Sequence, residues 1–238
     1  MTLQIRPILC NAGYMDNYAY LITDEITNTS AIVDAAEEIA IVNFCRAQNV
    51  TPQYILTTHH HKDHTNANLA LKKRFQAQII GSAAEAEKIP GLDIALNDGD
   101  TFNLGNSKAK VILAPGHTDG HLLWYFSKDK ALFTGDVLFN LCIGGLFEGT
   151  MRQMWQSLQK IKALPDDVRF YPGHEYTGAS LNYLAASQNE PEIQQYLQFL
   201  ETCRKNNLPP VGIPLNLEKK CNPYLKIASE TDFINKMS

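Results

Sequence analysis

The chain has 238 residues, with 21 lysines and arginines against 25 aspartates and glutamates, and a formal net charge of −4. That length is enough for one large domain, or a domain with an appendage, that buries a full apolar core. The slight negative charge gives no attraction for a nucleic acid or an anionic membrane, so we expect neither partner. The N-terminus lacks a signal-peptide pattern and no apolar run approaches a membrane span, so we expect a cytoplasmic location.

The five cysteines are odd in number and show no Cys-x-x-Cys spacing. This usage argues against a disulfide framework and against a structural zinc knuckle. We therefore interpret all five as buried thiols.

Periodicity and turn residues predict strands and helices in two similar halves. In chain order these are strands at 4–9, 18–23 and 30–33, a helix at 37–48, a strand at 54–56, a helix at 66–75, a strand at 78–80, a short helix at 83–88, strands at 101–104, 109–114, 122–126 and 130–134, a helix at 151–164 and a strand at 169–171. This order indicates two sheets packed face to face with helices outside. Two further predicted helices, at 179–186 and 192–205, indicate a domain at 1–177 and a helical appendage at 178–238, whose last residues, 233–238, either cap the domain or fray.

Histidines are concentrated directly after the predicted strand at 54–56. His59, His60, His61 and His64 lie within six positions, together with Asp63. Imidazole nitrogen and carboxylate oxygen are ligands that zinc and iron accept. Side chains two positions apart point to the same side of extended backbone, so His59 and His61 can share one ion while His60 and Lys62 point elsewhere. Asp63 and His64 begin the next element and could face a second ion.

The remaining histidines follow other apolar runs. His117 and His121 follow the run at 111–114, and His174 follows the strand at 169–171. Asp136 follows the apolar strand at 130–134. Four strands thus deliver candidate metal ligands at the same end.

These motifs, in this order, resemble the metallo-β-lactamase superfamily, and within it the glyoxalase II branch of hydroxyacylglutathione hydrolases. The motifs are Thr58-His59-His60-His61-Lys62-Asp63-His64, Pro115-Gly116-His117-Thr118-x-Gly120-His121, Thr134-Gly135-Asp136-x-Leu138-Phe139 and Gly173-His174-Glu175-Tyr176-Thr177. The resemblance implies a four-layer αββα sandwich with two divalent metal ions. The resemblance implies that His59, His61 and His117 hold one ion and that Asp63, His64 and His174 hold the other. It also implies that Asp136 bridges the two ions and that Asp63 and Asp136 are the catalytic carboxylates.

The implied reaction is hydrolysis of a hydroxyacyl-glutathione thioester such as S-D-lactoylglutathione, a step of methylglyoxal detoxification. Two adjacent cations lower the pKa of a bridging water from 15.7 toward about 7, which makes hydroxide the nucleophile. Zinc is the first choice of metal, with iron or manganese as alternatives. His121 either orients a metal ligand through a hydrogen bond or is a structural histidine.

Other branches of the superfamily fit less well. The branch that uses two irons and a flavin has a glutamate where this chain has His61, and the nucleic-acid-processing branch inserts a domain that the 38 positions between Asp136 and His174 cannot hold. Mononuclear-iron persulfide dioxygenases and hydrolases of other thioesters or lactones stay open as alternatives. A non-enzymatic metal-binding protein is disfavoured because none of the seven ligands is missing.

The substrate-binding positions depart from the pattern of the family. Tyr176 matches a substrate-contacting tyrosine and Phe147 is present, but Gly145 replaces a lysine or arginine that holds a substrate carboxylate. The basic Arg-x-x-Lys-Asp stretch near the C-terminus is also absent. Lys219, Lys220 and Lys226 either replace these charges or are solvated surface residues. We expect a monomer that grips the carboxylates of glutathione weakly.

Overall fold

The computed structural model describes residues 2–187 and 189–237, and it confirms two face-to-face sheets with helices outside. The strands are β1 (Leu3–Cys10), β2 (Asn17–Asp24), β3 (Thr29–Val33), β4 (Tyr54–Leu56), β5 (Gln78–Ser82), β6 (Ile94–Leu96), β7 (Thr101–Leu104), β8 (Ser107–Leu113), β9 (Leu122–Phe126), β10 (Ala131–Gly135), β11 (Leu138–Phe139), β12 (Cys142–Ile143), β13 (Arg169–Pro172) and β14 (Ile213–Pro214). The helices are α1 (Glu38–Ala47), α2 (Lys62–Thr65), α3 (Asn68–Phe75), α4 (Met151–Lys162), α5 (Leu181–Ala186), α6 (Pro191–Lys205), α7 (Leu215–Cys221) and α8 (Glu230–Met237). Short 3₁₀ turns span Ala83–Glu85 and Thr177–Ser180.

The first sheet has the order β1-β2-β3-β4-β5-β6 and the second has the order β14-β13-β10-β9-β8-β7. Successive side chains of a strand point to opposite faces of its sheet, so they pack in different layers of the fold. In β2, Tyr20 packs between the sheets against Phe133 of β10, whereas Leu21 packs outward in the cluster that holds Ile41 of α1. Leu132 of β10 likewise faces the outer layer that α4 and the C-terminal helices form. The predicted αββα sandwich is confirmed.

Strand direction brings the loops of the candidate site to one edge. β3 pairs with β4 in parallel, and β10 pairs with β13 in parallel, so each pair ends at the same side of its sheet. The antiparallel pair β8 and β9 turns back at that edge through residues 114–121. A backbone bridge between Asn17 and His174 joins the two sheets there, with the Tyr18 amide donating to the Gly173 carbonyl at 2.8 Å. The segments after β3, β4, β10 and β13, the turn at 114–121 and the start of β2 therefore converge at this edge.

The sequence missed the short strands β6, β11, β12 and β14, because two- and three-residue strands carry no readable period. It also missed the helices α2, α7 and α8. The short helix predicted at 83–88 is wrong, since only a 3₁₀ turn forms there, at Ala83–Glu85. The predicted tail at 233–238 belongs to α8, which buries Phe233 in the outer layer; Ser238 lies outside the described residues. Cys142 is only half-buried, so one of the five predicted buried thiols is wrong. In residues 2–187 and 189–237, no helix combines the length and the apolar character that crossing a membrane requires.

Candidate metal centre

Three histidine nitrogens meet where the loop after β4 faces the turn between β8 and β9. His61 Nδ1 lies 3.1 Å from His59 Nε2 and 3.0 Å from His117 Nε2. His59 and His117 are almost wholly buried, whereas His61 is partly exposed toward the cleft. The structure thus brings together the three residues that the sequence assigned to one ion.

A second donor group forms where α2 faces the loop after β13. His174 Nε2 lies 3.1 Å from His64 Nε2 and 3.2 Å from Asp63 Oδ2. The donor atoms within each of the two groups lie within 4.8 Å of one another, as a shared cation requires. This group contains the three residues that were assigned to the other ion.

Asp136 lies between the two groups. Its Oδ2 atom is 3.4 Å from His117 Nε2 and 3.3 Å from His174 Nε2, and its Oδ1 atom is 3.3 Å from His64 Nε2. The Oδ1 atom is buried and accepts no hydrogen bond within the described residues. A buried carboxylate oxygen without a donor is costly unless a cation compensates it. The position of Asp136 therefore suits a carboxylate that faces two ions.

Hydrogen bonds at Nδ1 orient four of the histidines so that Nε2 points into the site. His59 Nδ1 lies 3.0 Å from Thr58 Oγ1, and His64 Nδ1 lies 2.9 Å from Asp34 Oδ2. His117 Nδ1 and His174 Nδ1 lie 2.7 Å and 2.8 Å from the backbone carbonyls of Gly145 and Met15. Such partners fix the tautomer and the ring orientation of a metal-binding histidine. His61 presents Nδ1 instead.

The donor spacing fits a small divalent cation. A tetrahedral zinc site with Zn–N distances of about 2.0–2.1 Å has ligand atoms roughly 3.3 Å apart. The nitrogen pairs of the first group, at 3.0 Å and 3.1 Å, and the pairs of the second group, at 3.1–3.5 Å, lie near that value. The first group offers three imidazoles, and the second offers two imidazoles and a carboxylate. Zinc, iron and manganese all accept such ligands.

Burial holds the first group in the form that binds metals. Desolvation lowers the pKa of His59 well below the ordinary value, and the neighbouring His64 lowers it further. Desolvation also lowers the pKa values of His61 and His117. All three imidazoles are therefore neutral at neutral pH, with lone pairs available to a cation.

The second group behaves differently because carboxylates surround it. Burial lowers the pKa of His174, but Asp136 and Asp63 outweigh burial and raise it to about 9. Burial lowers the pKa of His64 too, and Asp136 and Asp34 raise it well above the ordinary value. Burial raises the pKa of Asp136, yet His64 and His174 hold it well below the usual range. Protons on these histidines balance the carboxylates in the metal-free protein, and a bound cation would replace them.

His60 and His121 lie beside the donor groups without joining them. His60 points away, as predicted, with Nδ1 3.1 Å from Glu85 and Nε2 3.3 Å from Glu148. His121 Nε2 accepts a hydrogen bond from the backbone amide of Asp136 at 3.1 Å, and its ring stacks on His59 at 4.8 Å. His121 therefore positions Asp136 through the backbone.

Two supporting carboxylates were not singled out from the sequence. Asp34 accepts hydrogen bonds from the Thr58 amide and hydroxyl, both at 2.8 Å, and contacts His64. Asp34 follows β3 as Asp136 follows β10, so its place at a strand end was the available signal. Glu85, in a 3₁₀ turn, gave no sequence signal. Both residues are almost wholly buried.

A cleft of about 460 Å³ opens beside the donor groups. Its lining residues are Met15, His61, Lys62, Asp63, His117, Asp136, Phe139, Gly145, Phe147, His174 and Tyr176. The Tyr176 ring stacks on His174 at 4.7 Å, and Phe147, which is 72% exposed, meets His61 and His117 edge-on. All three predicted substrate-contacting positions, Gly145, Phe147 and Tyr176, thus line one cleft.

The lysines considered as replacements for the missing anchors lie elsewhere. Lys219 Nζ donates to the Leu164 carbonyl at 2.6 Å and pairs with Asp166 at 2.7 Å. Lys226 pairs with Glu190 at 3.3 Å, and Lys220 is exposed. None of these three lysines lines the cleft as the described residues form it.

Two family models match the chain in succession. Residues 13–174 match the metallo-beta-lactamase superfamily. Residues 175–237 match the model described as the hydroxyacylglutathione hydrolase C-terminus. The first match contains all seven candidate metal ligands, and the second contains Tyr176.

Relatives in sequence and structure agree with these matches. The hydroxyacylglutathione hydrolase of Pelagibacter ubique (strain HTCC1062) is 37% identical over 232 residues, covering 97% of this chain and 96% of the relative. The hydroxyacylglutathione hydrolase of Chelativorans sp. (strain BNC1) is 41% identical, covering 95% and 88%. The crystal structure of ETHE1 from Myxococcus xanthus superimposes with a TM-score of 0.75 at 25% identity, covering 98% of this chain and 89% of that one. The chain therefore belongs to the hydroxyacylglutathione hydrolase family of the metallo-beta-lactamase superfamily.

Proposed function

We propose that this chain hydrolyses the thioester bond of a hydroxyacylglutathione, converting S-D-lactoylglutathione and water to D-lactate and glutathione. The observation that carries the proposal is the position of Asp136 between two donor groups that line a cleft with aromatic walls. The relatives that are 37% and 41% identical over most of their length, both named hydroxyacylglutathione hydrolase, support the choice of substrate.

We further propose two divalent ions per chain, zinc being the first choice and iron or manganese the alternatives. His59, His61 and His117 would hold one ion and Asp63, His64 and His174 the other, with Asp136 facing both. When bound, two such cations would supply a water of lowered pKa and polarise the thioester carbonyl.

The side chains of the cleft leave nucleophilic attack to water. Among the described residues, the lining contains no serine, threonine or cysteine, and burial, with Asp136 and Asp63 adding to it, raises the pKa of Tyr176 to about 12. The phenol of Tyr176 therefore stays protonated at neutral pH, where it can donate a hydrogen bond to the substrate. Met15, Phe139 and Phe147 provide apolar surface that would pack on the substrate and exclude solvent.

Metal analysis combined with kinetics tests the proposal. We expect two metals per chain by elemental analysis, hydrolysis of S-D-lactoylglutathione by the loaded protein, loss of activity on chelation and recovery with added zinc. Asp136→Asn should cost several orders of magnitude in kcat, whereas Asp119→Asn, an exposed carboxylate in the 114–121 turn, should behave like wild type. A fully loaded protein without thioesterase activity would refute the proposal, and oxygen uptake with glutathione persulfide would instead identify a dioxygenase.

Three further proposals accompany this function. We propose that the protein is a monomer and that its location is cytoplasmic. We also propose that the chain divides into a domain at 1–177 and a C-terminal substrate-binding region at 178–238. The C-terminal helices pack on the outer face of the second sheet through Tyr196, Leu215 and Phe233. The hydrogen bond from the Leu141 amide to the Glu218 carboxylate, at 2.7 Å, supports a contact between this region and the domain that carries Asp136.

A further inference from the structure

The alternation of side chains predicts that Lys62, like His60, points away from the shared ion, but Lys62 lines the cleft beside the donor groups. It is the one lysine or arginine that does so among the residues that the structure describes. It is the first residue of α2, between the candidate ligands His61 and Asp63. Its side chain is exposed, and its ammonium makes no hydrogen bond or ion pair within residues 2–187 and 189–237. Its charge is therefore free to meet a ligand.

A second hollow of about 340 Å³ adjoins the cleft and shares Met15, Lys62 and Asp63 with it. The rest of its wall includes the polar side chains of Asn11, Tyr14 and Asn66. Lys62 thus stands at the junction of the two hollows. A tripeptide spans at most about 10 Å when extended, so a thiol carrying one can reach from the donor groups across this junction.

The charge of the substrate needs a partner that the rest of the cleft lacks. Glutathione carries a glycine carboxylate and a γ-glutamyl carboxylate. The other charged groups lining the cleft are Asp63, Asp136 and the histidines, which belong to the donor groups, and position 145 is a glycine. The flexible four-carbon stem of a lysine lets its ammonium follow a carboxylate that is not held rigidly.

We propose that Lys62 binds a carboxylate of the peptide part of the thioester substrate and so determines specificity for a charged thiol. This inference rests on the proposed thioesterase function. A contact with Lys62 directs the peptide over Met15 toward the hollow beside Tyr14. The contact supplies a charged anchor that Gly145 cannot supply.

Substitutions of Lys62 test the inference on the zinc-loaded full-length chain. Lys62→Met should raise KM for S-D-lactoylglutathione roughly tenfold, the value of one charged contact, with kcat within about twofold of wild type. Lys62→Arg keeps the positive charge, so its KM should lie much closer to the wild-type value than that of Lys62→Met. The matched control is Lys128→Met, an exposed lysine in the turn between β9 and β10, at the opposite end of the second sheet. It should leave KM unchanged.

Two probes separate recognition of charge from general damage. The ratio of kcat/KM for S-D-lactoylglutathione to that for S-lactoyl-N-acetylcysteamine, which has no carboxylate, should fall about tenfold in Lys62→Met. The dissociation constant of S-hexylglutathione, a thioether that cannot be hydrolysed, should rise by a similar factor. An active wild type with unchanged KM and unchanged ratio in Lys62→Met would overturn the role of Lys62 alone. A loaded wild type that neither hydrolyses lactoylglutathione nor binds S-hexylglutathione would overturn both proposals.

Discussion

The buried carboxylate of Glu85 accepts a hydrogen bond from the backbone amide of Gly120 at 3.0 Å. Its other oxygen accepts a hydrogen bond from the His60 backbone amide at 2.8 Å and lies 3.1 Å from His60 Nδ1. One side chain thus joins the segment that carries His59 and His61 to the turn that carries His117. Neither segment contains a regular strand or helix at the contact, so Glu85 helps to hold their separation, together with the hydrogen bond from the Leu122 amide to the Thr58 carbonyl at 2.8 Å.

Replacing Glu85 with glutamine should weaken both protein stability and metal affinity. A glutamine has one oxygen acceptor in place of two, so one buried amide loses its partner at a cost of about 1–3 kcal/mol. We expect a melting temperature lower by several degrees and zinc affinity lower by roughly tenfold, measured by scanning calorimetry and by competition with a chromophoric chelator. Glu87→Gln, at an exposed position two residues on, is the control. Unchanged zinc affinity in Glu85→Gln would show that Glu85 does not hold the two segments together.

Gly173→Ala should disrupt the second donor group. A Cβ atom at position 173 would collide with Asp136 Oδ1 and lie 2.7 Å from His64 Cε1, and both of these side chains are buried. Because neither can move away freely, we expect the variant to bind less metal per chain, measured by elemental analysis. Gly178→Ala is the matched control, since a Cβ there would meet no atom within 4 Å. Equal metal content in the two variants would contradict a crowded site.

Gly145→Lys should lower KM for S-D-lactoylglutathione about tenfold, which corresponds to one restored charged contact of roughly 1.4 kcal/mol. The side chain has room, because a Cβ at this position would meet only the Phe147 ring, at 3.4 Å and beyond. The backbone carbonyl of residue 145, which accepts a hydrogen bond from His117 Nδ1, is unaffected by the change. Gly145→Met supplies a flexible side chain of similar length without charge and should not lower KM. The gain should shrink as salt is added, because exposed charges are screened over about 10 Å at 0.1 M. A gain shared by the methionine variant would point to apolar packing instead.

Glu218 should make stability depend on pH. It is fully buried in α7 and accepts hydrogen bonds from the Leu141 amide at 2.7 Å, Asn222 at 2.7 Å and Tyr196 at 3.0 Å. Burial raises the pKa of this carboxyl to about 7, against these hydrogen bonds, which lower it. A raised native pKa means that the native state keeps a proton that the unfolded chain loses, so stability falls as pH rises toward 7.

Glu218→Gln mimics the protonated carboxyl and should remove this dependence. Between pH 5.5 and 8 we expect wild type to lose roughly 2 kcal/mol of unfolding free energy more than the variant does, from urea titrations of the metal-free protein. Parallel curves for the two proteins across this range would show that Glu218 does not titrate there.

The sequence by itself determined which residue types surround the candidate site. A histidine or carboxylate directly after an apolar strand is a local pattern, and parallel strands end at a common edge, so the convergence of His59, Asp136 and His174 followed from chain order. The same reasoning predicted the face-to-face sheets. It placed His60 outside the donor groups because side chains alternate along extended backbone.

Tertiary structure alone decided what supports and surrounds that site. Three examples depend on contacts between segments far apart in the chain. They are the Gly145 carbonyl that orients His117, the Glu85 carboxylate that joins two loops and the position of Lys62 in the wall of the cleft. No local pattern encodes such contacts, because each partner is an ordinary turn or surface residue in sequence. The short strands β11 and β12 form for the same reason. Two residues have no periodicity of their own, and their pairing depends on the packed second sheet and on the Glu218 contact to Leu141.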